Sequence, residues 1–572
     1  MTWTREKTLR ERSTGPDGYD SGERIFQLGL ILFILYMVYV ALKLSSTRFL
    51  DFDEYQVLYE SASLVRGKAL YSDSISVHFP FMNVTLSYLI GLLGFRTATV
   101  VAVRYFVSLF LFATLFFTFR IAEMIWSRTT GLIAVALTMS CMVFLHKGIE
   151  IRHDLFNMAF NTIGAYYALK YVERRRWHSI WLSGLFLALA VASTQKAVIW
   201  AAGIVIGLLL WLAREGCFTK VPKVLAIYAN TAVLLMLVLF VYLFLTLGES
   251  LGAFLGETVI GPFSYFDPEK ANKTYPFPYT WQGIYGGLLY ENALFYLLGL
   301  CGVFWALKAW FQHNSAKVMI AFWAAMGILF YLITARPFYQ SLLPTIPAMG
   351  ILAAGFTMDI RPGFRFFSKQ ISAAVGVLGL ICLLAWPLYL IVHEQKINPT
   401  IMNREMQNIS FCLDNLRANE KVLCFTQQQV FFDPVLNMNR NECGNSIYTI
   451  DARCLERKMI EAQCKVIVFD HRTRYLNREV QKRIAENYLP SGVGDILIPG
   501  FKLPAGAVVR KEIWIQGIYK DLSRSVGVDG KKVNGGLIHL DQSEYTFRNT
   551  ANSPAFLVYV FHRKKRLDER RM

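Results

Sequence analysis

Three carboxylates in four residues, Asp51-Phe52-Asp53-Glu54, stand just beyond the first hydrophobic segment of this 572-residue chain. Further along, His78, Arg152-His153-Asp154, Lys196, Arg336 and Tyr339 punctuate or border stretches that are otherwise apolar. Ionisable groups at membrane depth are costly, so each asks for a function or a partner. Together these residue types suit a substrate that carries a phosphate and reacts at a hydroxyl. A carboxylate can accept the proton of the attacking hydroxyl. Lys and Arg can hold a phosphate and stabilise the charge that grows on it as it leaves. The blander alternatives are a solvated acidic loop at 51–54 and a snorkelling lysine in a short polar turn at 196. Asp51-x-Asp53 also has the spacing of a metal-binding acid pair.

The elements that must position these residues follow from hydropathy and charge. The chain is 54% hydrophobic with a formal net charge of +18, too long and too apolar for a single soluble domain. Its Lys and Arg gather in short loops between apolar runs, where they set topology and face anionic lipid, so nucleic acid is excluded as a partner. The apolar segments are 26–44, 79–94, 97–119, 130–146, 155–172, 179–195, 197–213, 222–247, 287–308, 317–334, 338–357 and 370–393. Counting all twelve as crossings would put the Glu173-Arg174-Arg175-Arg176 cluster outside, against the positive-inside rule. The segment 79–94 is short and holds Pro80 and Asn83, so it reads as an interfacial or re-entrant helix. Eleven crossings then make every basic loop cytoplasmic.

That solution divides the chain into a cytoplasmic segment 1–24, a membrane domain 25–393 and an outward-facing tail. Outer loop 45–96 carries the acids and two juxtamembrane helices, the first over 54–66 with Tyr55, Leu58, Ala62 and Val65 on one face. Outer loop 248–286 is aromatic: Phe263, Tyr265, Phe266, Tyr275, Phe277, Tyr279 and Trp281 suit a cover for lipid or sugar, or an interfacial belt. The tail reads as an α/β domain over 394–500 and a β-rich domain with a basic end over 501–572. Lys421–Phe425 and Lys465–Phe469 are expected strands, and Leu455–Ala462 and Arg474–Tyr488 expected helices. Ile513–Tyr519 alternates as a strand, Asp529-Gly530 signals a hairpin, and Ala555–Phe561 is a final strand. Four cysteines (Cys141, Cys217, Cys301, Cys382) lie in or between apolar segments. The other five (Cys412, Cys424, Cys443, Cys454, Cys464) crowd into the tail, where an oxidising compartment would allow one or two disulfides.

An acidic pair after the first crossing, His78-Phe79-Pro80 before a juxtamembrane helix, and Arg152-His153-Asp154 opening another together resemble the membrane glycosyltransferases of the GT-C fold. Gln195-Lys196 and Arg336-Pro337-Phe338-Tyr339-Gln340-Ser341-Leu342-Leu343-Pro344 resemble one branch in particular. That branch holds the bacterial relatives of protein O-mannosyltransferases, among them the lipid A aminoarabinose transferase and the galacturonosyltransferases of lipopolysaccharide core. The resemblance spans about residues 24–393. It implies an α-helical polytopic membrane protein of about eleven transmembrane helices plus juxtamembrane helices, followed by an extracytoplasmic α/β plus β region. It implies a polyprenyl-phosphate sugar as donor, inverting transfer, and no cofactor or catalytic metal. Carried over by residue, Asp53 would be the general base and Glu54 its neighbour. Asp154 would be a second acid that orients a substrate, and Lys196 a phosphate contact, with Arg152, His78, Arg336, Tyr339 and Asp51 as further substrate contacts. One position departs from the pattern. Where the aminoarabinose branch has Lys-Pro, this chain has Phe79-Pro80, leaving Arg152, His78 or Arg336 to supply the missing cation.

The partners implied are membrane lipid, the polyprenyl-phosphate sugar, and an envelope glycan, glycolipid or protein acceptor. The setting implied is a bacterial inner membrane with a cytoplasmic amino terminus and a periplasmic tail. A polyprenyl-linked glycan ligase or polymerase, or a lipid-linked sugar transporter, is the competing reading. The absence of an internal repeat and the gathering of charge at one face weigh against a transporter.

Overall fold

The computed structural model describes residues 21–74, 76–261, 281–310, 315–334, 338–360, 399–426, 428–436, 450–470, 476–533 and 536–561, with a few isolated positions between them. The expected crossing 370–393, the basic end of the tail, Arg336, and the aromatic positions from Phe263 to Tyr279 lie outside the described residues, as do the side chains of Trp281 and Tyr339. The chain forms two compact units. One comprises Met1–Arg48, Gly67–Tyr88 and Val101–Ile397, the other Phe49–Arg66, Leu89–Val100 and Asn398–Met572.

The first unit is helical. Among the described residues six helices are long and apolar enough to cross a bilayer: Glu23–Thr47, Thr97–Ile125, Gln195–Arg214, Phe218–Thr246, Ala316–Ile333 and Gln340–Asp359. The segment 79–94, expected as an interfacial or re-entrant helix, forms helix Phe81–Leu93, whose 13 residues reach about 20 Å at 1.5 Å each, short of a hydrocarbon core of about 30 Å. Three other expected crossings differ from simple rods. The run 130–146 is broken at Cys141 into helices Arg128–Ser140 and Met142–Lys147, because Cys141 adopts an extended backbone (φ −74°, ψ 116°). Helix Trp281–Trp310 kinks at Asn292 (φ −147°). The two interruptions meet: Met142 N donates to Asn292 Oδ1 at 2.9 Å. Helix His153–Arg174 is long enough to cross, but buries Asp154, Asn157 and Asn161 as well as apolar residues.

Close helix packing rests on small residues, as expected where lipid is as apolar as leucine. Gly203 and Gly207, four residues apart on helix Val198–Arg214, face helix Ser315–Ile333. A Cβ on Gly203 would stand 2.8 Å from Phe322 O, and one on Gly207 2.7 Å from Met319 Cα. Glycine at both positions lets these backbones touch.

In the second unit, helix Phe52–Val65 is capped by Asp51. Leu50 N donates at 2.9 Å to the buried Glu405 of helix Pro399–Asn415. The other end of the first helix is tied to the tail by Arg66, which pairs with Asp433 at 3.2 Å and donates to Phe431 O. The strands are β1 Lys421–Leu423, β2 Asp433–Pro434, β3 Val466–Val468, β4 Tyr488–Pro490, β5 Ile496–Leu503 and β6 Val508–Glu512. They continue with β7 Gly517–Asp521, β8 Val526–Val528, β9 Lys531–Lys532, β10 Leu537–Leu540, β11 Glu544–Asn549 and β12 Ala555–Tyr559. An eight-stranded sheet runs β10-β7-β12-β5-β3-β1-β2 with β4 beside β5, and a four-stranded sheet runs β6-β11-β8-β9. Pairs β1–β2 and β1–β3 are parallel and the rest antiparallel.

Helices Ala452–Glu461 and Arg478–Asn487 overlap the two expected in the tail. Two expectations are corrected here. The boundary at 500/501 runs through β5, so the α/β and β parts share one sheet and one apolar core rather than forming separate domains. Ile513–Tyr519 is not one strand. Ile513, Trp514 and Ile515 lie buried in the connection between β6 and β7, and their apolar character reflects that core and not a pleat. The hairpin signal holds: Asp529 and Gly530 take φ of 48° and 77° between β8 and β9, with Val528 opposite Lys531, the conformation of a two-residue primed turn. Cys443 and Cys454 form a disulfide, and Cys412, Cys424 and Cys464 are buried thiols.

Candidate active site

Asp154 occupies the second position of helix His153–Arg174, and Lys196 the middle of the short 3-10 turn Gln195–Ala197 that separates helices Trp177–Ser193 and Val198–Arg214. The fold brings them together. Lys196 Nζ lies 2.7 Å from Asp154 Oδ1, the approach being ionic and not an aligned hydrogen bond. Asp154 is buried, while the lysine side chain keeps 23% of its surface exposed.

Two imidazoles complete the surroundings. The His78 and His153 rings lie against each other at a tilt of 36°, with centroids 4.2 Å apart. His153 Nε2 is 2.8 Å from Asn83 Oδ1 on helix Phe81–Leu93, and His78 Nδ1 is 3.4 Å from Thr194 Oγ1. Gln195 Nε2 donates to Val77 O at 2.8 Å, fastening the 3-10 turn to the chain just before His78. Burial, followed by the neighbouring Lys196 and Arg152 cations, pushes the His78 imidazole down to about 3. In this structure the surroundings of His78 favour the neutral ring. It can donate or accept one hydrogen bond and pack as a ring.

Arg152, expected as a substrate contact, directs its guanidinium to Glu150 at 2.7 Å. The same buried carboxylate receives Arg48 at 2.9 Å and Lys147 at 2.9 Å. Arg48 also donates to His146 O at 2.7 Å, and the fully buried Arg104 donates to Arg48 O at 2.6 Å. Glu150 thus anchors three cations in front of helix His153–Arg174. Of these pairs, the one between Arg48 and Glu150 spans 102 residues and leaves no local trace in a sequence.

The acid cluster belongs to the second unit, and two of its three members have local work. Asp51 accepts from Phe52 N at 2.6 Å, and Glu54 accepts from Asp51 N at 2.9 Å, forming a reciprocal capping box at the start of helix Phe52–Val65. Glu54 is fully buried. These bonds satisfy N–H groups of the helix's first turn, so Asp51 and Glu54 have a structural role there. The Asp-x-x-Glu spacing itself carries that signal. Asp53, at the second helical position and half-buried, is outside the capping box. Among the described residues no group of three or more His, Cys, Asp or Glu is placed to hold a metal ion.

Comparison with known proteins agrees with this architecture. Residues 78–244, which include His78, Asp154 and Lys196, match the family described as dolichyl-phosphate-mannose-protein mannosyltransferase. No curated protein sequence matches the chain. Among solved structures, ArnT from Cupriavidus metallidurans bound to undecaprenyl phosphate superposes with a TM-score of 0.56 at 11% identity, covering 82% of this chain and 97% of that one. The apo oligosaccharyltransferase of Archaeoglobus fulgidus gives 0.52 at 11% identity, over 80% of this chain and 73% of that one. AglB of the same organism, in complex with an inhibitory peptide and a dolichol-phosphate, gives 0.51 at 11%, over 83% and 74%. The structural likeness is one of fold, and the family match covers residues 78–244 of the 572. The chain is a multi-pass membrane protein of the GT-C glycosyltransferase fold.

Proposed function

We propose that this protein transfers a sugar from a polyprenyl-phosphate sugar to a hydroxyl of an envelope acceptor such as lipopolysaccharide core, lipid A, another glycan or a protein. The reading places the reaction on the periplasmic face of a bacterial inner membrane. The observation that carries it is the Lys196–Asp154 pair at 2.7 Å, within the stretch that matches the mannosyltransferase family. A lysine held by a buried carboxylate, yet partly exposed, is a fixed cation suited to a lipid-linked phosphate. Asp154 orients that cation and is engaged by it, and the resemblance to the GT-C enzymes gives the role of proton acceptor to Asp53.

In the reaction, the acceptor oxygen attacks the anomeric carbon as the bond from that carbon to the phosphate oxygen breaks. The hydroxyl proton passes to the Asp53 carboxylate, and polyprenyl phosphate leaves as the anion. A single displacement inverts the anomeric centre. Phosphate is a good leaving group, so one base suffices. The purified full-length protein in lipid nanodiscs, given a panel of polyprenyl-phosphate sugars and envelope acceptors, should release polyprenyl phosphate and yield a glycosylated product of inverted configuration. Turnover with nucleotide sugars alone, or a product of retained configuration, would refute the reading.

A further inference from the structure

Glu249 lies just beyond the family match, in the segment that follows the membrane helix Phe218–Thr246. It is buried, and among the described residues it forms no salt bridge. Its charge is met by hydrogen-bond donors from a single loop. Tyr71 N donates to Oε1 at 2.8 Å, Ser72 Oγ to Oε2 at 3.1 Å and Ser72 N to Oε2 at 3.3 Å. A buried carboxylate satisfied by main-chain donors fixes those donors firmly, because removing it strands each of them.

The loop so held is the one that carries His78. Tyr71 OH donates to His78 O at 2.9 Å, tying Tyr71 directly to the His78 main chain. Phe254, five residues beyond Glu249, packs on both ends of that stretch, edge-on to Tyr71 at 5.1 Å and stacked on Phe79 at 5.9 Å. From His78 the contacts continue to His153 and Thr194, the neighbours of Asp154 and Lys196. We infer that Glu249 is a positioning residue: by gripping Tyr71 and Ser72 it sets the 71–79 loop, and through His78 it aligns the Asp154–Lys196 pair for the donor phosphate. The last clause rests on the proposed function, while the grip on the loop does not.

Two measurements on the full-length protein separate these layers. Hydrogen–deuterium exchange should show peptides over 69–79 exchanging about tenfold faster or more in Glu249→Gln, with peptides of helix Thr97–Ile125 unchanged. Ser72→Ala, which removes one donor, should give a smaller rise confined to the same peptides. Unchanged exchange at 69–79, or a rise spread over the whole unit, would overturn the positioning role whatever the protein's activity. The second measurement is a double-mutant cycle on donor kcat/KM with Glu249→Gln and His78→Ala. Glu249 acting through the His78 loop requires that the double variant be no worse than the poorer single variant. Fold-losses that multiply would show Glu249 acting elsewhere. If the wild type transfers no sugar from any donor, the proposed function fails and the exchange result still decides the grip.

Discussion

Helix Phe52–Val65 in the second unit and helix His153–Arg174 in the first both carry an aspartate at their second position, Asp53 and Asp154. Their surroundings differ. The first has a complete side-chain cap, with Asp51 and Glu54 serving the opening turn. The second begins at Arg152, which offers no acceptor, and its side chain makes no cap hydrogen bond. Where the cap is built from neighbours, the intervening aspartate lies outside it. Where no cap exists, the aspartate is fixed by a partner from another helix pair, Lys196. Clustered acids therefore say less about chemistry than their individual hydrogen bonds do, and the sparser of the two helix starts holds the ion pair.

The contrast is broken most decisively at Asp53. Asp53→Asn should lower transfer about 100- to 10,000-fold with the melting temperature close to wild type. Full activity would move the base to another acid. Lys196→Ala leaves the Asp154 carboxylate buried beside a lost partner, and should raise the apparent donor KM about tenfold or more, the loss expected of a charge-assisted phosphate contact. Lys196→Arg should recover part of that loss, and Asp154→Asn combined with Lys196→Ala should cost no more than the worse single change. Additive losses would mean the pair does not act as a unit.

A smaller effect concerns pH. His78 takes a proton at about 3 in the folded protein, well below the ordinary histidine value of about 6.5. Between those values the unfolded chain binds the proton and the folded chain does not, so stability contributed by the neutral ring is present above about pH 6.5 and lost as pH falls toward 3. Melting curves between pH 4 and 7 should slope more steeply for wild type than for His78→Gln. Equal slopes would show that the ring titrates freely. The smallest effect is at the capping box: Asp51→Ala should cost about 1 kcal/mol of stability while activity per folded molecule stays within a few-fold. A loss of turnover as large as that of Asp53→Asn would return Asp51 to the chemistry.

Much of this architecture was legible because it is local. Apolar length placed the membrane helices, and the Asp529-Gly530 pair placed a hairpin whose positive φ values demand such residues. The break at Cys141 was not, since neither proline nor glycine marks it and its hydrogen-bonding partner is Asn292, 150 residues away. For the same reason Asp154 and Lys196 could be nominated singly but their bond could not be read. Ile513-Trp514-Ile515 misled because a buried connection and a strand can share a hydropathy pattern. The capping box is legible as the Asp-x-x-Glu spacing of residues 51–54.

The hydrogen bond between Met142 and Asn292 also bears on how the chain is made. Ribosomes add about 5–20 residues per second, so about 8–30 s separate the emergence of the Cys141 break from that of its acceptor. Over that interval the amide of Met142 has to be served by water, by the insertion machinery or by a temporary neighbour. Final seating of the early helices consequently waits on the later ones, and nascent chains released between residues 148 and 291 should be preferred clients of membrane quality control.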